Sequence, residues 1–202
     1  MNVGVLASGT GTNLQALIDR AHGRGGVRLV AVASDQRDAP ALQRARVAAI
    51  AVQTFPADDF ADRPARDEVM RDWLLEHGVE LVVLAGYMQL LSPAFLGAFP
   101  NRVINVHPAL LPAFPGRNAV EQAIEYGVPV FGVTIHFVDD GVDTGPVILQ
   151  RAVELPCARD AGAVLERLHP IEHELLTEAV ELIARGAVSF DPANPRHVVI
   201  AR

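Results

Sequence analysis

Five short runs rich in Val, Leu, Ile and Ala, at 2–7, 27–34, 51–55, 80–86 and 102–107, constrain the fold of this chain more than any other feature. Several of them, ELVVLAG among others, are too continuously apolar to leave one face in water. That pattern belongs to strands covered on both sides, as in a parallel sheet. Helical periodicity fills the intervals at 12–21, 40–50 and 67–78. The alternation predicts an α/β fold: an open, doubly wound, mostly parallel (mixed) sheet flanked by helices on both faces. Two later strands, VFGVTIHFV and PVILQRAVEL, are joined by the turn-rich DDGVDTG, which predicts an antiparallel pair at one end of the sheet. A long helix follows, with Pro170 read as its start and Gly186 as its stop, and the tail AVSFDPANPRHVVI reads as a last hairpin. No linker or repeat interrupts the 202 residues, so 1–202 are expected to form a single domain.

Composition removes several classes of function. Half the residues are hydrophobic and a fifth are charged, enough apolar material for a sizeable core. The net charge is −7 and no basic run occurs, which argues against nucleic acid or an anionic membrane as partner. Cys157 is the single cysteine, so an internal disulfide and a multi-thiolate metal site are excluded, as suits a reducing cytoplasm. Met1 leads directly into NVGVLA, and neither a signal peptide nor a transmembrane helix is expected. All 17 basic residues are arginine, which excludes a lysine Schiff base and the lysine of a P-loop.

The first strand runs into Ser8-Gly9-Thr10-Gly11-Thr12-Asn13. Thr12 and Gln15 have the spacing of a capping box, placing a helix start at Thr12. Two glycines allow a tight turn whose N–H groups lie at the positive end of the helix dipole, a site suited to phosphate. The same residues would also make a plain, well-capped strand-to-helix turn. The dinucleotide fingerprint G-x-G-x-x-G fails at Leu14, although Asp35, at the end of the second strand, stands where a ribose-binding acid would. A nicotinamide-dependent oxidoreductase and a non-catalytic nucleotide sensor therefore remain as rivals at this point.

In RVINVH the alternation of a strand puts Asn105 and His107 on one face with Val103, and Pro108 ends the ladder. Two polar groups thus sit at the carboxyl end of a strand, where open α/β sheets hold ligands. An amide donor and an imidazole suit the stabilisation of charge on a carbonyl oxygen. The alternative is a hydrogen-bonded pair that ties down the loop LLPAFPG. Asp143, in DDGVDTGP, is an available carboxylate, while Asp139 and Asp140 have the character of turn residues.

Taken together, SGTGTNLQ, LAGYMQLLSPAF, INVHPALLPAFPG, TIHFVDDGVDTGPVILQ and HPIEHELL resemble the phosphoribosylglycinamide formyltransferases, folate-dependent enzymes of purine synthesis. The resemblance runs over essentially the whole chain in order and spacing. Methionyl-tRNA formyltransferase is similar only in the middle and carries a further tRNA-binding domain. Formyltetrahydrofolate hydrolase shares the same trio of residues and is kept as an alternative. The resemblance implies that Asn105, His107 and Asp143 are catalytic, with 10-formyltetrahydrofolate as formyl donor and no metal. It implies that Gly11, Thr12 and Asn13 bind the phosphate and ribose of glycinamide ribonucleotide, and that Glu172 recognises its amine. It also implies that Arg63 contacts a ligand, and that Met88, Gln89, Leu90, Leu91 and Asn105 join Val138, Asp139, Asp140, Gly141 and Asp143 around the reduced folate. The amino-terminal half is expected to bind the phosphate and the later half to complete the folate site. A cytoplasmic monomer or homodimer acting on small molecules is the implied setting. Gln89 and Asn118 depart from the family pattern, which often has arginine and histidine there; the 88–91 segment is expected to use backbone groups for the pterin.

Other polar residues draw simpler readings. His169 and His173 have the i, i+4 spacing of a helical metal pair but lack a third ligand, and Pro170 is expected to leave His169 at a frayed helix end. His136 lies in a strand pattern and reads as a satisfied pocket or core histidine. Cys157 shows no local sign of activation, and Trp73 with Leu74 reads as helix core.

Overall fold

A computed structural model describes residues 1–201 and divides the backbone into two compact units, Met1–Asn105 and Val106–Arg202. In the first unit, strands β1 (Asn2–Leu6), β2 (Arg28–Ser34), β3 (Ala51–Thr54), β4 (Leu81–Leu84) and the start of β5 (Val103–His107) alternate with four helices. These are α1 (Thr12–Arg20), α2 (Pro40–Val47), α3 (Arg63–Glu76) and α4 (Pro93–Ala98). Every pairing here is parallel: β1 with β2 and β4, β2 with β3, and β4 with β5. Leu81, Val82 and Val83 of β4 are wholly buried, as are Val3, Val5 and Leu6 of β1. Burying such a side chain contributes about 1.5–3 kcal/mol, which accounts for the continuous apolar runs.

The order β3-β2-β1-β4-β5 places a switch point between β1 and β4, since the chain leaves β3 at one side and resumes beside β1. Ligands of open α/β sheets bind outside the strand ends at such a point. The segments leaving β1 and β4 meet there: Ala85 N–H donates to Leu6 C=O (2.8 Å), and Ser8 N–H to Gly86 C=O (3.1 Å).

In the second unit, α5 (Ala119–Tyr126) precedes β6 (Val130–Phe137) and β7 (Val147–Glu154), which pair antiparallel. Helix α6 (Ala161–Ala184) packs on both strands, and a hairpin of β8 (Val188–Asp191) and β9 (Asn194–Ile200) follows. The sheet as a whole has seven strands in the order β3-β2-β1-β4-β5-β6-β7, the mostly parallel, mixed sheet expected from the sequence.

Three local expectations are corrected. The capping box at Thr12 does not form: Gly11, in the left-handed region at φ 73°, takes the N-cap position and Thr12 becomes the first helical residue. Gln15 instead donates to Asp19 Oδ1 (2.9 Å) and accepts from Arg44 Nη1 (3.1 Å). Pro170 does not start a helix but lies inside α6, so His169 is mid-helix rather than frayed. Helices α4 and α5 form where none was read, and α3 begins at Arg63, capped by Asp62 Oδ1 accepting from Ala65 N–H (2.8 Å).

Candidate active site

The loop after β1 is built for close approach of backbone. A Cβ on Gly11 would lie 2.7 Å from the Ala41 Cβ, so α1 and α2 pack tightly only because glycine stands there. Ala41 N–H donates to Gly9 C=O (3.2 Å), and Arg44 Nε–H to Thr10 C=O (2.8 Å). The loop is thereby fixed while Thr12 and Asn13 open α1, with Asn13 buried at 8% exposure. No acidic side chain lies in that first helical turn, which leaves the positive end of the helix uncompensated.

Asp35, 4% exposed just past β2, accepts from Gln36 Nε2 (2.9 Å) and from Gln89 Nε2 (3.1 Å). Burial pushes its pKa up, but hydrogen bonds from Ser8, Gln36 and Gln89 outweigh this and hold it below the ordinary carboxylate value. Asp35 is thus engaged by neighbouring side chains in the place where a ribose-binding acid was considered. Ser8 Oγ accepts from Met88 N–H (2.9 Å). Met88 and Leu90 are about half exposed, whereas Arg63 is exposed at the first position of α3.

At the end of β5, Asn105 is half-buried and His107 is 4% exposed, two residues apart on one strand face as the alternation required. Within the second unit, His107 Nδ1 lies 3.3 Å from Asp143 Oδ2, and His107 Nε2 is 2.8 Å from Phe114 C=O. A carbonyl only accepts, so Nε2 carries the proton in the neutral ring. Both ring nitrogens then face oxygen acceptors, an arrangement that an imidazolium satisfies in full. Burial opposes that charge and is the largest influence. Despite the anion at Asp143 and the Phe114 carbonyl, it holds the His107 pKa below its ordinary value.

Asp143 is shared. Its Oδ2 also accepts from Gly116 N–H (2.7 Å), and its Oδ1 lies 3.5 Å from His136 Nε2. His136, 1% exposed, donates from Nδ1 to Phe137 C=O (2.8 Å). Burial alone would raise the Asp143 pKa. The His136 and Gly116 hydrogen bonds, with the potential of the two histidines, bring it below the ordinary value. Asp139 does behave as a turn residue, its Oδ1 accepting from Gly141 N–H (3.1 Å) and Thr144 Oγ1 (2.6 Å). Val138, Asp140 and Gly141 complete the loop that carries Asp143, whose φ of 52° aims its carboxylate from a left-handed turn.

His136 was read from sequence as a satisfied histidine, and its contact with the shared carboxylate went unanticipated. A signal was present: Thr134 and His136 are polar groups two apart on an otherwise apolar strand, hence on one face. Thr134 Oγ1 donates to Ala109 C=O (2.6 Å) and accepts from Leu111 N–H (3.1 Å), pinning the segment after β5. Glu172 is buried in α6 at 6% exposure. The His169 and His173 rings stack at 6.5 Å and 8°, and no group of three or more His, Cys, Asp or Glu among the described residues is placed to hold a metal. No helix among them is long and apolar enough to cross a membrane.

A buried histidine held by a carboxylate at a strand end, in this mixed seven-stranded sheet, suits an enzyme that moves a proton. The formyl transferase family model matches residues 1–180, and the chain belongs to that family. It is 43% identical over 185 residues to a phosphoribosylglycinamide formyltransferase of Mycobacterium tuberculosis, covering 92% of this chain and 86% of that relative. To the Escherichia coli protein of the same name it is 40% identical over 193 residues, covering 94% and 90%. The crystal structure of glycinamide ribonucleotide transformylase 1 from Symbiobacterium toebii superposes with a TM-score of 0.95 at 43% identity, over 100% of this chain and 94% of its own.

Proposed function

We propose that this chain transfers a formyl group from 10-formyltetrahydrofolate to the amine of 5′-phosphoribosylglycinamide, a step of purine biosynthesis. The observation that carries the reading is the 43% identity to a curated relative of that name over nine-tenths of this chain. The hydrolase and oxidoreductase alternatives are not favoured by these relatives.

In this reading the amine lone pair attacks the formyl carbon, and the carbonyl π pair moves to oxygen. Asn105 donates its amide N–H to the oxyanion. Burial disfavours the charged ring of His107, so in this reading it enters as a base. It takes the proton the amine sheds as the C–N bond forms, and the resulting imidazolium faces Asp143, 3.3 Å away. It then returns the proton to N10 of the departing folate as the C–N10 bond breaks, leaving the formamide and tetrahydrofolate. Atoms and charge balance without a metal or a covalent enzyme intermediate.

Gly11, Thr12 and Asn13 hold the phosphate and ribose, Glu172 the glycinamide amine, and Arg63 a ligand group. Met88 to Leu91 and Val138 to Asp143 are the folate-facing segments. The amino-terminal half serves the phosphate and the later half completes the folate site, the 202 residues acting as one domain. The partners are small molecules rather than nucleic acid or membrane, and the setting is a cytoplasmic monomer or homodimer. The test mixes the protein with 10-formyltetrahydrofolate, with and without glycinamide ribonucleotide, and follows folate absorbance. Turnover only with both substrates is the expected result. Turnover without the amine would restore the hydrolase, and none in either mixture would overturn the assignment.

A further inference from the structure

We propose that Arg66 and Asp67 are positioning residues that hold the segment 87–92 in shape to receive the folate. The inference rests on the folate-facing role given to Met88–Leu91 above, and it concerns two residues given no part in the site by the sequence, where arginines such as Arg66 read as solvated.

The pair is buried, Arg66 at 2% and Asp67 at 0% exposure, yet the two are neighbours on α3. Adjacent helical residues project about 100° apart and do not ordinarily meet. Here the guanidinium folds back, so that Nε (3.0 Å) and Nη2 (2.7 Å) both donate to Asp67 Oδ1. What this frees is informative. Asp67 Oδ2 accepts from Ser92 N–H at 2.6 Å, and Arg66 Nη2 also donates to Leu90 C=O at 3.2 Å. Ser92 in turn caps α4, accepting on Oγ from Phe95 N–H (3.3 Å). The two side chains therefore fix both ends of the turn Leu90–Ser92 from one helix.

The preceding residues are held from other elements. Met88 N–H is on Ser8 Oγ (2.9 Å) and the Gln89 amide on Asp35 (3.1 Å). Below them Tyr87 is buried, its hydroxyl 3.9 Å from Met70 Sδ. Against these ties, the Met88 and Leu90 side chains are 53% and 55% exposed, and the N–H groups of Leu90 and Leu91 make no hydrogen bond among the described residues. A surface turn with two outward apolar side chains and unengaged backbone donors is fixed by four polar contacts, two of them from an ion pair in the core.

A buried ion pair is a poor device for stability, because desolvating both charges offsets their attraction and an apolar pair of similar volume serves a core as well or better. What it supplies is geometry. A planar heterocycle recognised through backbone groups needs them held to about half an ångström, and ordered side chains behind the turn provide that.

The test is steady-state kinetics on the full chain carrying Arg66→Met with Asp67→Asn, which removes both charges together, and on Arg66→Lys, which keeps the charge but not the fork that reaches Leu90. The double variant is expected to raise KM for 10-formyltetrahydrofolate about tenfold or more, the loss of a charge-assisted hydrogen bond, with KM for the ribonucleotide within about twofold. Arg66→Lys is expected to show the same split at severalfold. Unmoved folate KM in a folded variant overturns the proposal, as does an equal rise in both KM values, the mark of a merely structural pair. If the double variant does not fold, the Arg66→Lys split decides alone. Wild-type protein that turns over without regard to folate would instead overturn the functional reading on which the proposal stands.

Discussion

The loop after β1 and the cluster around Asp143 are made of different materials. The first works through backbone: a glycine at φ 73°, a helix N-terminus, and side chains such as Arg44 that brace the loop from behind. No residue from Ser8 to Asn13 carries an ionisable side chain. The second works through buried side chains, His107 and His136 on one carboxylate, and the charge of His107 is opposed by burial and favoured by Asp143. In the proposed role of holding a phosphate, the loop gains from permanence, since helix dipoles and N–H groups do not change with pH. A proton-transfer element gains from a charge state that burial and a neighbour leave closely balanced.

Substitutions that separate the two elements sharpen this contrast, the largest effect coming from the cluster. His107→Ala should lower kcat by about a hundredfold to ten-thousandfold, the usual worth of a positioned acid–base group, with little change in either KM. A KM-only effect would move His107 from chemistry to binding. Asn105→Ala should lower kcat by about a hundredfold to a thousandfold while leaving the pH profile in place, because an amide donor does not titrate. A displaced profile would show that Asn105 acts by tuning the histidine. In the loop, Asn13→Ala should leave kcat alone and raise KM for the ribonucleotide about tenfold to a hundredfold, with folate KM unmoved. Equal weakening towards both substrates would reduce the loop to a helix cap.

The two elements also differed in how far they could be read from sequence. Strand runs such as 80–86 were legible because burial on both faces demands apolar residues at every position, and Asn105 and His107 interrupt such a run. Helix α4, with six residues, is too short to establish a period, and α5, with eight, opens on Asn118 at φ 58°, which no residue pattern announces. The capping box failed because a left-handed Gly11 does the terminating, so Thr12 lies inside the helix it seemed to cap. Pro170 is tolerated in the interior of α6, where local rules would stop a helix and tertiary packing overrides them. The Arg66–Asp67 contact was invisible for a different reason: adjacency on a helix normally means divergence, and only the position of Leu90 and Ser92 makes the fold-back useful.

A balance is struck at His107 between burial, which opposes its protonation, and Asp143, which favours it. It is tested most directly by an NMR titration of the His107 ring in the wild type and in Asp143→Asn. In the wild type the ring should titrate below its ordinary value of 6.5, burial outweighing the carboxylate. An anion raises an imidazole pKa, so removing it should move the His107 titration to still lower pH. A titration that stays in place or moves upward would contradict that balance and leave Asp143 as an anchor for Gly116 and His136 alone.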